Sequence, residues 1–384
     1  MDNNVKKIIG ARALLSYSYG FLNVLLSLYL RSIGFSLISI GIIIGSAIII
    51  NAILALLLSM IADHYGRRNV LFILYVLFGI SAFMFLETKN IALLALLSGI
   101  GGFTGTGGGP IGSGGPFGSI QSAMVTEYTK RENFSKVLGI ASAIGMISSV
   151  VGSFTIPALE IFKINVYQLF YIAALFGFFG AGITIFIKDT GLRSKHFLPK
   201  LSWKNILKLS IPTIPSGIGA GLISPIFSLW FSLRFHLTAG QIGIIFGIAN
   251  IFTTLMMLVI PLIIRKEDEL KVIIWSRITA SVSLILIALS PIMILTAFLF
   301  IIRNGFQMGA IPVRQSFSMG IVDETERATS SGVTSFTRTG FSSISPPVSG
   351  SIMAYSIELP PLLAGFINLL DPILYYKLFK KQFS

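Results

Sequence analysis

Residues 37–68 decide how this chain folds, and they read LISIGIIIGSAIIINAILALLLSMIADHYGRR. No charged residue lies between Arg31 and Asp63, so the run exceeds the roughly 20 apolar residues that cross a bilayer core. It ends in a short charged segment, Asp63 to Arg68. The pattern predicts a membrane-spanning helix followed by an exposed turn.

The same alternation repeats along all 384 residues. Hydrophobic residues make up 54% of the chain and charged residues 11%, against roughly a quarter charged in ordinary soluble domains. Twelve predicted spans cover residues 10–32, 36–61, 69–87, 91–125, 134–158, 166–187, 205–232, 240–264, 270–290, 291–321, 327–353 and 358–379. The predicted fold class is therefore an all-α integral membrane protein with twelve transmembrane helices.

The two halves of the chain resemble each other. Ser36–Gly45 returns as Thr238–Gly247, an offset of 202 residues, and each follows the first span of its half. Parallel six-helix halves related by an axis along the membrane normal are one of the transporter repeat designs. We predict an N-terminal six-helix bundle at 1–187, a cytoplasmic basic linker at 188–204 and a pseudo-symmetric C-terminal bundle at 205–384.

Basic residues divide unequally between the two sides of the predicted membrane. Of 29 lysines and arginines, 20 fall on the side of both termini and four on the other. The remaining five lie inside spans: Arg12, Arg277, Arg303, Arg314 and Arg338. Because short cytoplasmic loops carry such an excess, we predict a multi-pass cell-membrane protein with both termini in the cytoplasm. Basic residues spread over short loops also argue against nucleic-acid binding, despite the net charge of +14.

Several kinds of site are excluded. The chain has no cysteine, so it has no disulfide or thiolate metal site, and its three histidines lie in or beside loops. Residues 107–112 match G-x-G-x-x-G, but they lie inside an apolar span without the strand that a dinucleotide site requires. We predict no cofactor, no metal and no enzymatic activity.

The loop that opens this section resembles the signature of the major facilitator superfamily, Gly-x-x-x-Asp-Arg/Lys-x-Gly-Arg/Lys-Arg/Lys. Asp63, Gly66, Arg67 and Arg68 match it. Ser59 replaces its first glycine, and His64 replaces its first basic residue. The resemblance covers nearly the whole chain and implies a carrier whose halves rock between two states. It also implies that this loop is a latch on one state. A basic loop that only sets the topology is the alternative.

Two acid–base pairs occur at corresponding places in the halves. Glu127 and Arg131 follow the fourth span, and Asp323 and Arg327 follow the tenth. Each pair is spaced i,i+4 and can interact across one helical turn. We predict that all four residues act in gating.

The fourth span contains eleven glycines between residues 99 and 118. Gly101, Gly105 and Gly109 fall on one face of a helix, which allows close helix packing. Alternatively, the span is a bendable helix that lines a cavity. The two interpretations are compatible.

Three ionisable residues are predicted near the membrane midplane: Arg303, Arg338 and Asp371. Intramembrane charges are costly and are functional candidates by default. Asp371 is the candidate for proton or ion coupling. A structural tie from Asp371 to Arg303 or Arg338 is the alternative.

Arg303, Gln307 and Arg314 form a polar stripe on span 10. The family resemblance implies that spans 1, 4, 7 and 10 line the central cavity. We therefore take these three residues and Arg338 as candidates for the substrate pathway. Arg314 could instead extend its side chain to the nearby membrane surface or pair with loop acids.

The sequence as a whole predicts a monomeric secondary transporter that moves a small organic solute by alternating access, with protons as an open choice of driving ion. An amphipathic drug-like or metabolite-like solute is the leading expectation. Uptake of an organic anion or a sugar on the same fold is the alternative. The lipid bilayer is the other expected partner.

Overall fold

The computed structural model describes residues 2–104, 115–130, 134–188, 203–263, 268–322 and 327–379, which are helical apart from short turns and loops. The helices are α1 (Asn3–Ser32), α2 (Leu37–Tyr65), α3 (Arg67–Phe85), α4 (Ile91–Gly101), α5 (Gly115–Glu127), α6 (Phe134–Ile161), α7 (Leu169–Ile185), α8 (Trp203–Ser210), α9 (Thr213–Ile223), α10 (Phe227–Phe235), α11 (Ala239–Ile263), α12 (Glu269–Leu289), α13 (Met293–Gly309), α14 (Ile311–Ile321), α15 (Arg327–Tyr355) and α16 (Leu359–Phe379). No strand occurs in the described ranges.

Ten helical segments of the described residues are long and apolar enough to cross a membrane. The other two predicted spans, the fourth and the eleventh, are not among these ten, each for its own reason. The fourth is represented by α4 and α5, with residues 105–114 between them outside the described part. The eleventh is α15, which has 29 residues but is rich in serine and threonine. The all-helical membrane fold is confirmed.

The fourth span departs from the continuous helix that the sequence predicts. α4 ends at Gly101 because Gly102 adopts a left-handed conformation, with φ of 70° and ψ of 22°. Residues with a Cβ rarely adopt this geometry, and it commonly terminates helices. Of the predicted glycine face, Gly105 and Gly109 lie outside the described residues.

Large apolar side chains cover the outer surface of the helices. Phe179, Trp275 and Phe298 expose 62%, 65% and 57% of their surface. A soluble monomer rarely exposes extensive apolar surface. This surface is suited to contact with lipid chains.

The two halves use the same internal packing. In the first half α1 packs on α6, α3 on α7 and α2 on α4. In the second half α9 packs on α15, α12 on α16 and α11 on α13. When the spans are counted within each half, the same pairs pack together in both: the first with the fifth, the third with the sixth, and the second with the fourth. The repeat seen in the sequence is therefore also a repeat in packing.

The halves meet along two seams, of which the first joins α2 to α15. Gly41 and Gly45 of α2 lie against Pro346 and Pro347 of α15, where an added Cβ would overlap α15 atoms. We call the side where α1 begins and α16 ends the terminal side, and the opposite side the far side. The seam lies towards the far side, because both glycines are in the first turns of α2.

The second seam joins α6 to α11 and is the counterpart of the first. Gly243 and Gly247 of α11 lie against Ser153 and Phe154 of α6. These glycines follow Gly41 and Gly45 by 202 residues, the offset of the sequence repeat. A pseudo-two-fold axis therefore relates the seams, and small residues let the helix backbones approach closely on each.

Candidate functional site

The deepest acid of the chain forms a buried ion pair in the second half. Asp371 of α16 and Arg277 of α12 lie 2.9 Å apart, and their side chains are 2% and 8% exposed. Arg277 also donates a hydrogen bond to Ser216 Oγ of α9 at 2.8 Å. The predicted tie of Asp371 to Arg303 or Arg338 is wrong, because the packing of α12 along α16 presents Arg277 instead.

Arg303 of α13 lies beside the break in the seventh span. It donates a hydrogen bond to Ser224 Oγ at 2.9 Å and lies over the Phe227 ring at 5.5 Å. Ser224 begins a short 3-10 turn, Ser224–Ile226, between α9 and α10. Arg303 is 2% exposed, yet its Nε has no hydrogen-bond partner in the described part of the chain. This is an incompletely satisfied cation near the membrane centre.

Gln307 and Arg314 face a common crevice although a helix break separates them. α13 ends at Gly309 and α14 begins at Ile311, and the crevice is also lined by Arg277 of α12. Gln307 is 6% exposed, and its Oε1 has no hydrogen-bond partner among the described residues. The structure thus brings together two candidates for the substrate pathway.

Arg338 on α15 lies close to the other charges of the second half. Arg277, Arg303, Arg314 and Asp371 are all within electrostatic range of its guanidinium. Its backbone packs against Gly217 of α9, so α15 turns this side towards the bundle. Four arginines and one aspartate therefore form a group, which we call the arginine cluster.

Among the residues of the first half that the structure describes, one cation is buried, Arg12. Sequence reasoning placed it in a span but gave it no role. Arg12 of α1 donates a hydrogen bond to Gln121 Oε1 at 3.2 Å, and Gln121 donates to Tyr75 Oη at 2.8 Å. Tyr19 lies nearby and donates to the Gly101 carbonyl. A buried glutamine beside a tyrosine in otherwise apolar spans is the signal that could have revealed this network.

The predicted latch loop makes contacts within the first half. Arg67 forms an ion pair with Glu127 at the end of α5, and Arg68 donates to the Ile187 carbonyl at 3.4 Å. Gly66 has a φ of 97°, which lets α3 begin directly after α2. The side chain of Asp63 lies outside the described part.

The structure describes only some residues of the two predicted i,i+4 pairs, Glu127–Arg131 and Asp323–Arg327. Arg131 and Asp323 lie outside the described residues, as does the side chain of Arg327. The pairing of Glu127 with Arg67 shows that the loop after α2 reaches the end of the fourth span. Gating by all of these residues stays a prediction.

Most hydrogen bonds between described residues of the two halves lie towards the far side. Ser27 of α1 and Ser228 of α10 share a hydrogen bond of 2.9 Å between their hydroxyls. Glu160 at the end of α6 accepts from the backbone N–H of Gly240 at 3.1 Å and from Thr238 Oγ1 at 2.9 Å. The carboxylate thus caps the start of α11 from the other half, a favourable position for a negative charge.

The fold and these contacts agree with comparison to known proteins. The family model described as Major Facilitator Superfamily matches residues 8–346. The chain belongs to the Major Facilitator Superfamily. This confirms the resemblance inferred from the loop, and it establishes the chain as a membrane transporter rather than an enzyme.

Relatives in the superfamily are distant. The quinolone resistance protein NorA of Staphylococcus aureus (strain MRSA252) is 23% identical over 359 residues, which cover 90% of this chain and 88% of that protein. The crystal structure of the nucleoside transporter NupG superposes with a TM-score of 0.76 at 17% identity, covering 99% of this chain and all of that one. The human organic anion transporter MFSD10 superposes at 0.68, with 14% identity and 98% coverage of this chain. These superpositions support the fold.

Proposed function

We propose that this protein is a secondary transporter that carries a small organic solute by alternating access. The observation that carries the proposal is the position of the contacts between its halves. Of the four hydrogen bonds that join described residues of the two halves, three lie in the far-side part of the helices. The fourth, from Asn250 to Ser153, lies near the middle of α11. Such an arrangement favours a state closed at the far side, and the pseudo-symmetric seams offer hinges for the opposite state.

The terminal side is proposed to be cytoplasmic. Twenty basic residues lie on that side against four on the other, which follows the positive-inside rule. The described state is then one that opens to the cytoplasm, in a monomer of the cell membrane. Solute would enter or leave the pocket between the halves from that side.

The solute site is proposed to involve Arg303, Gln307, Arg314 and Arg338. Polar groups at membrane depth are retained where they meet solute or water. The names of the relatives refer to quinolones and nucleosides, which are small organic molecules. A metabolite-like or drug-like amphipathic solute fits a cavity with largely apolar walls and few polar groups.

Proton coupling would have to use Asp371, because it is the one acid placed deep in a span. In that case Asp371→Asn abolishes solute flux driven by a pH gradient. Flux down a solute gradient is the control, since it requires folding and binding but no proton. Unchanged pH-driven flux in the variant would remove Asp371 from the coupling mechanism.

The loop latch is proposed to stabilise one of the two states through Arg67 and Glu127. Arg67→Gln should shift the balance of states and lower the transport rate, while the reversed pair Arg67→Glu with Glu127→Arg should restore part of it. Rates in proteoliposomes measure both variants. Equal transport rates in the wild type and in Arg67→Gln would mean that the loop only sets the membrane topology.

Locking the halves together tests alternating access directly. The chain has no cysteine, so a pair introduced at Ser27 and Ser228 would be the only thiols present. Their hydroxyls are 2.9 Å apart across the two halves, and an oxidised pair should hold the far side closed. We expect oxidation to stop transport in proteoliposomes and reduction to restore it.

A pair at Ser36 and Ser39 is the matched control. These hydroxyls are also 2.9 Å apart but both belong to the start of α2. Oxidation there should leave transport intact. Full transport with the Ser27–Ser228 cross-link formed, as measured by mass spectrometry, would refute alternating access through this seam.

A further inference from the structure

We infer that the solute carries an anionic group, a carboxylate or a phosphate, and that Arg314 and Arg338 bind it. The inference rests on the proposed function, because it names the chemical class that the transporter would recognise. It follows from the charge balance of the arginine cluster and from two guanidinium groups that have no partner among the described residues.

The arginine cluster has an excess of positive charge. It contains Arg277, Arg303, Arg314 and Arg338 against a single acid, Asp371. The acid is already paired with Arg277 at 2.9 Å. Within the described ranges, three arginines are left without a carboxylate, in a part of the molecule where unpaired charges are strongly unfavourable.

The three differ in how far the protein satisfies them. Arg303 is buried, donates to Ser224 and lies against Phe227. Arg314 and Arg338 are partly exposed, and neither makes a hydrogen bond or an ion pair among the described residues. Their guanidinium groups therefore keep their donors available for a ligand.

The position of these two arginines suits a solute that enters from the terminal side. Arg314 lies seven residues before the end of α14, and Arg338 eleven residues after the start of α15. At 1.5 Å per residue these depths are about 10 and 16 Å. A guanidinium fork matches the two oxygens of a carboxylate or phosphate.

Gln307 provides a second, independent sign of a ligand. Its side chain is almost fully buried, lines the crevice beside Arg314, and has an oxygen without a partner. That oxygen is an acceptor and suits a donor on the uncharged part of a solute, whereas the amide nitrogen can donate to an anion. Arg314 and Gln307 together line one narrow crevice and have unmet hydrogen-bonding capacity.

Anion binding would also connect recognition to the change of state. Closing the terminal side removes water from the arginine cluster, and dehydrating unpaired charges is costly. A bound anion lowers the net charge that must be dehydrated. The loaded carrier would therefore close more readily than the empty one.

The experiment measures binding in purified protein, without transport. The probes are naphthoate, naphthamide and naphthylmethylamine, which share a ring system and differ in charge. In a neutral detergent we expect naphthoate to raise the melting temperature and to bind at least tenfold more tightly than the other two. Equal binding of the amide or the amine, or no binding of naphthoate, overturns the inference.

Two variants assign the site. Arg314→Gln and Arg338→Gln should each weaken naphthoate binding at least tenfold, whereas Arg31→Gln, at an exposed far-side position, should leave it unchanged. Removing an unpaired charge should also raise the melting temperature of the ligand-free protein. Unaltered naphthoate binding in both cluster variants contradicts the assignment.

A lipid headgroup is the other source of such an anion, and a bilayer arm separates the two. Nanodiscs of phosphatidylcholine alone are compared with nanodiscs containing phosphatidylglycerol. We expect naphthoate to bind equally in both. Binding that disappears with phosphatidylglycerol would assign the arginines to lipid and refute a soluble anion. None of these binding experiments measures transport. A negative result here therefore does not affect the Ser27–Ser228 test of alternating access, and a negative result in that test does not affect the binding result.

Discussion

The two halves of this protein share one packing scheme but differ in the charges they bury. The first half holds Arg12, which meets Gln121 and the aromatic side chains around it. The second half holds the arginine cluster, in which one acid faces four cations. Symmetry of the backbone therefore does not require symmetry of function. We propose that the second half supplies the charged groups of the solute pocket and that Arg12 of the first half has a framework role.

The largest expected effect comes from breaking the Arg277–Asp371 pair. Asp371→Ala should destabilise the protein by about 3–5 kcal/mol, because it leaves a buried guanidinium uncompensated. The double variant Arg277→Met with Asp371→Leu should recover most of that loss. Thermal unfolding in detergent measures both variants. A double variant no more stable than Asp371→Ala would contradict a simple structural pair.

Arg12 tests the contrast between the halves more finely. Arg12→Gln removes a charged donor from Gln121, and we expect a loss of about 1.5–3 kcal/mol. For Arg338→Gln we expect the opposite change in stability, a gain, because Arg338 is a cation without a partner among the described residues. Melting temperatures of the two variants, side by side, decide the comparison. Stabilisation by Arg12→Gln would mean that the first half also stores an unsatisfied charge.

Two glycines test the symmetry of packing. Gly20 of α1 lies against the carbonyl of Ser149, and Gly221 of α9 lies against that of Ser342. Alanine at either position should cost about 1–3 kcal/mol through overpacking. Gly182 of α7 has open space around it, so alanine there should be neutral or stabilising. A large difference between the first two would limit the symmetry to the backbone trace.

The smallest effect is expected at the far-side surface. The Ser356 hydroxyl and then Arg234 hold the pKa of Glu358 below its usual range. A lowered pKa in the folded state adds stability above the unfolded value, and this is lost as pH falls through the folded pKa. Arg234→Gln should cost less than about 1 kcal/mol near pH 7. Its melting temperature should approach that of wild type towards pH 3, and a gap that widens in acid would contradict this sign.

Sequence patterns predicted the membrane architecture well and the polar contacts poorly. Apolar runs and the loop with Gly66, Arg67 and Arg68 are local features, so they indicated the spans and the family without a structure. The partner of Asp371 was missed, since depth alone does not decide among the arginines inside the spans of the second half. Rotation of each helix about its axis chooses among them, and that rotation depends on packing with neighbours.

The glycine-rich segment illustrates the same division. Eleven glycines between residues 99 and 118 signalled an unusual span. That the helix stops at Gly101 depends on the left-handed conformation of Gly102, beneath the Tyr19 hydroxyl. The break is a property of the assembled bundle, because the neighbouring helix fixes the local conformation.

The amino-acid sequence determined by itself that the chain enters a bilayer, because lipid accepts apolar side chains and requires helices to satisfy the backbone within each segment. It also determined the family and the repeat. The assembled helices alone decided which charges meet: Arg277 pairs with Asp371 and Arg67 with Glu127. Arg314 and Arg338 find no partner in the described part of the chain. Ion pairs act over a few ångströms, and only the packed bundle sets distances on that scale.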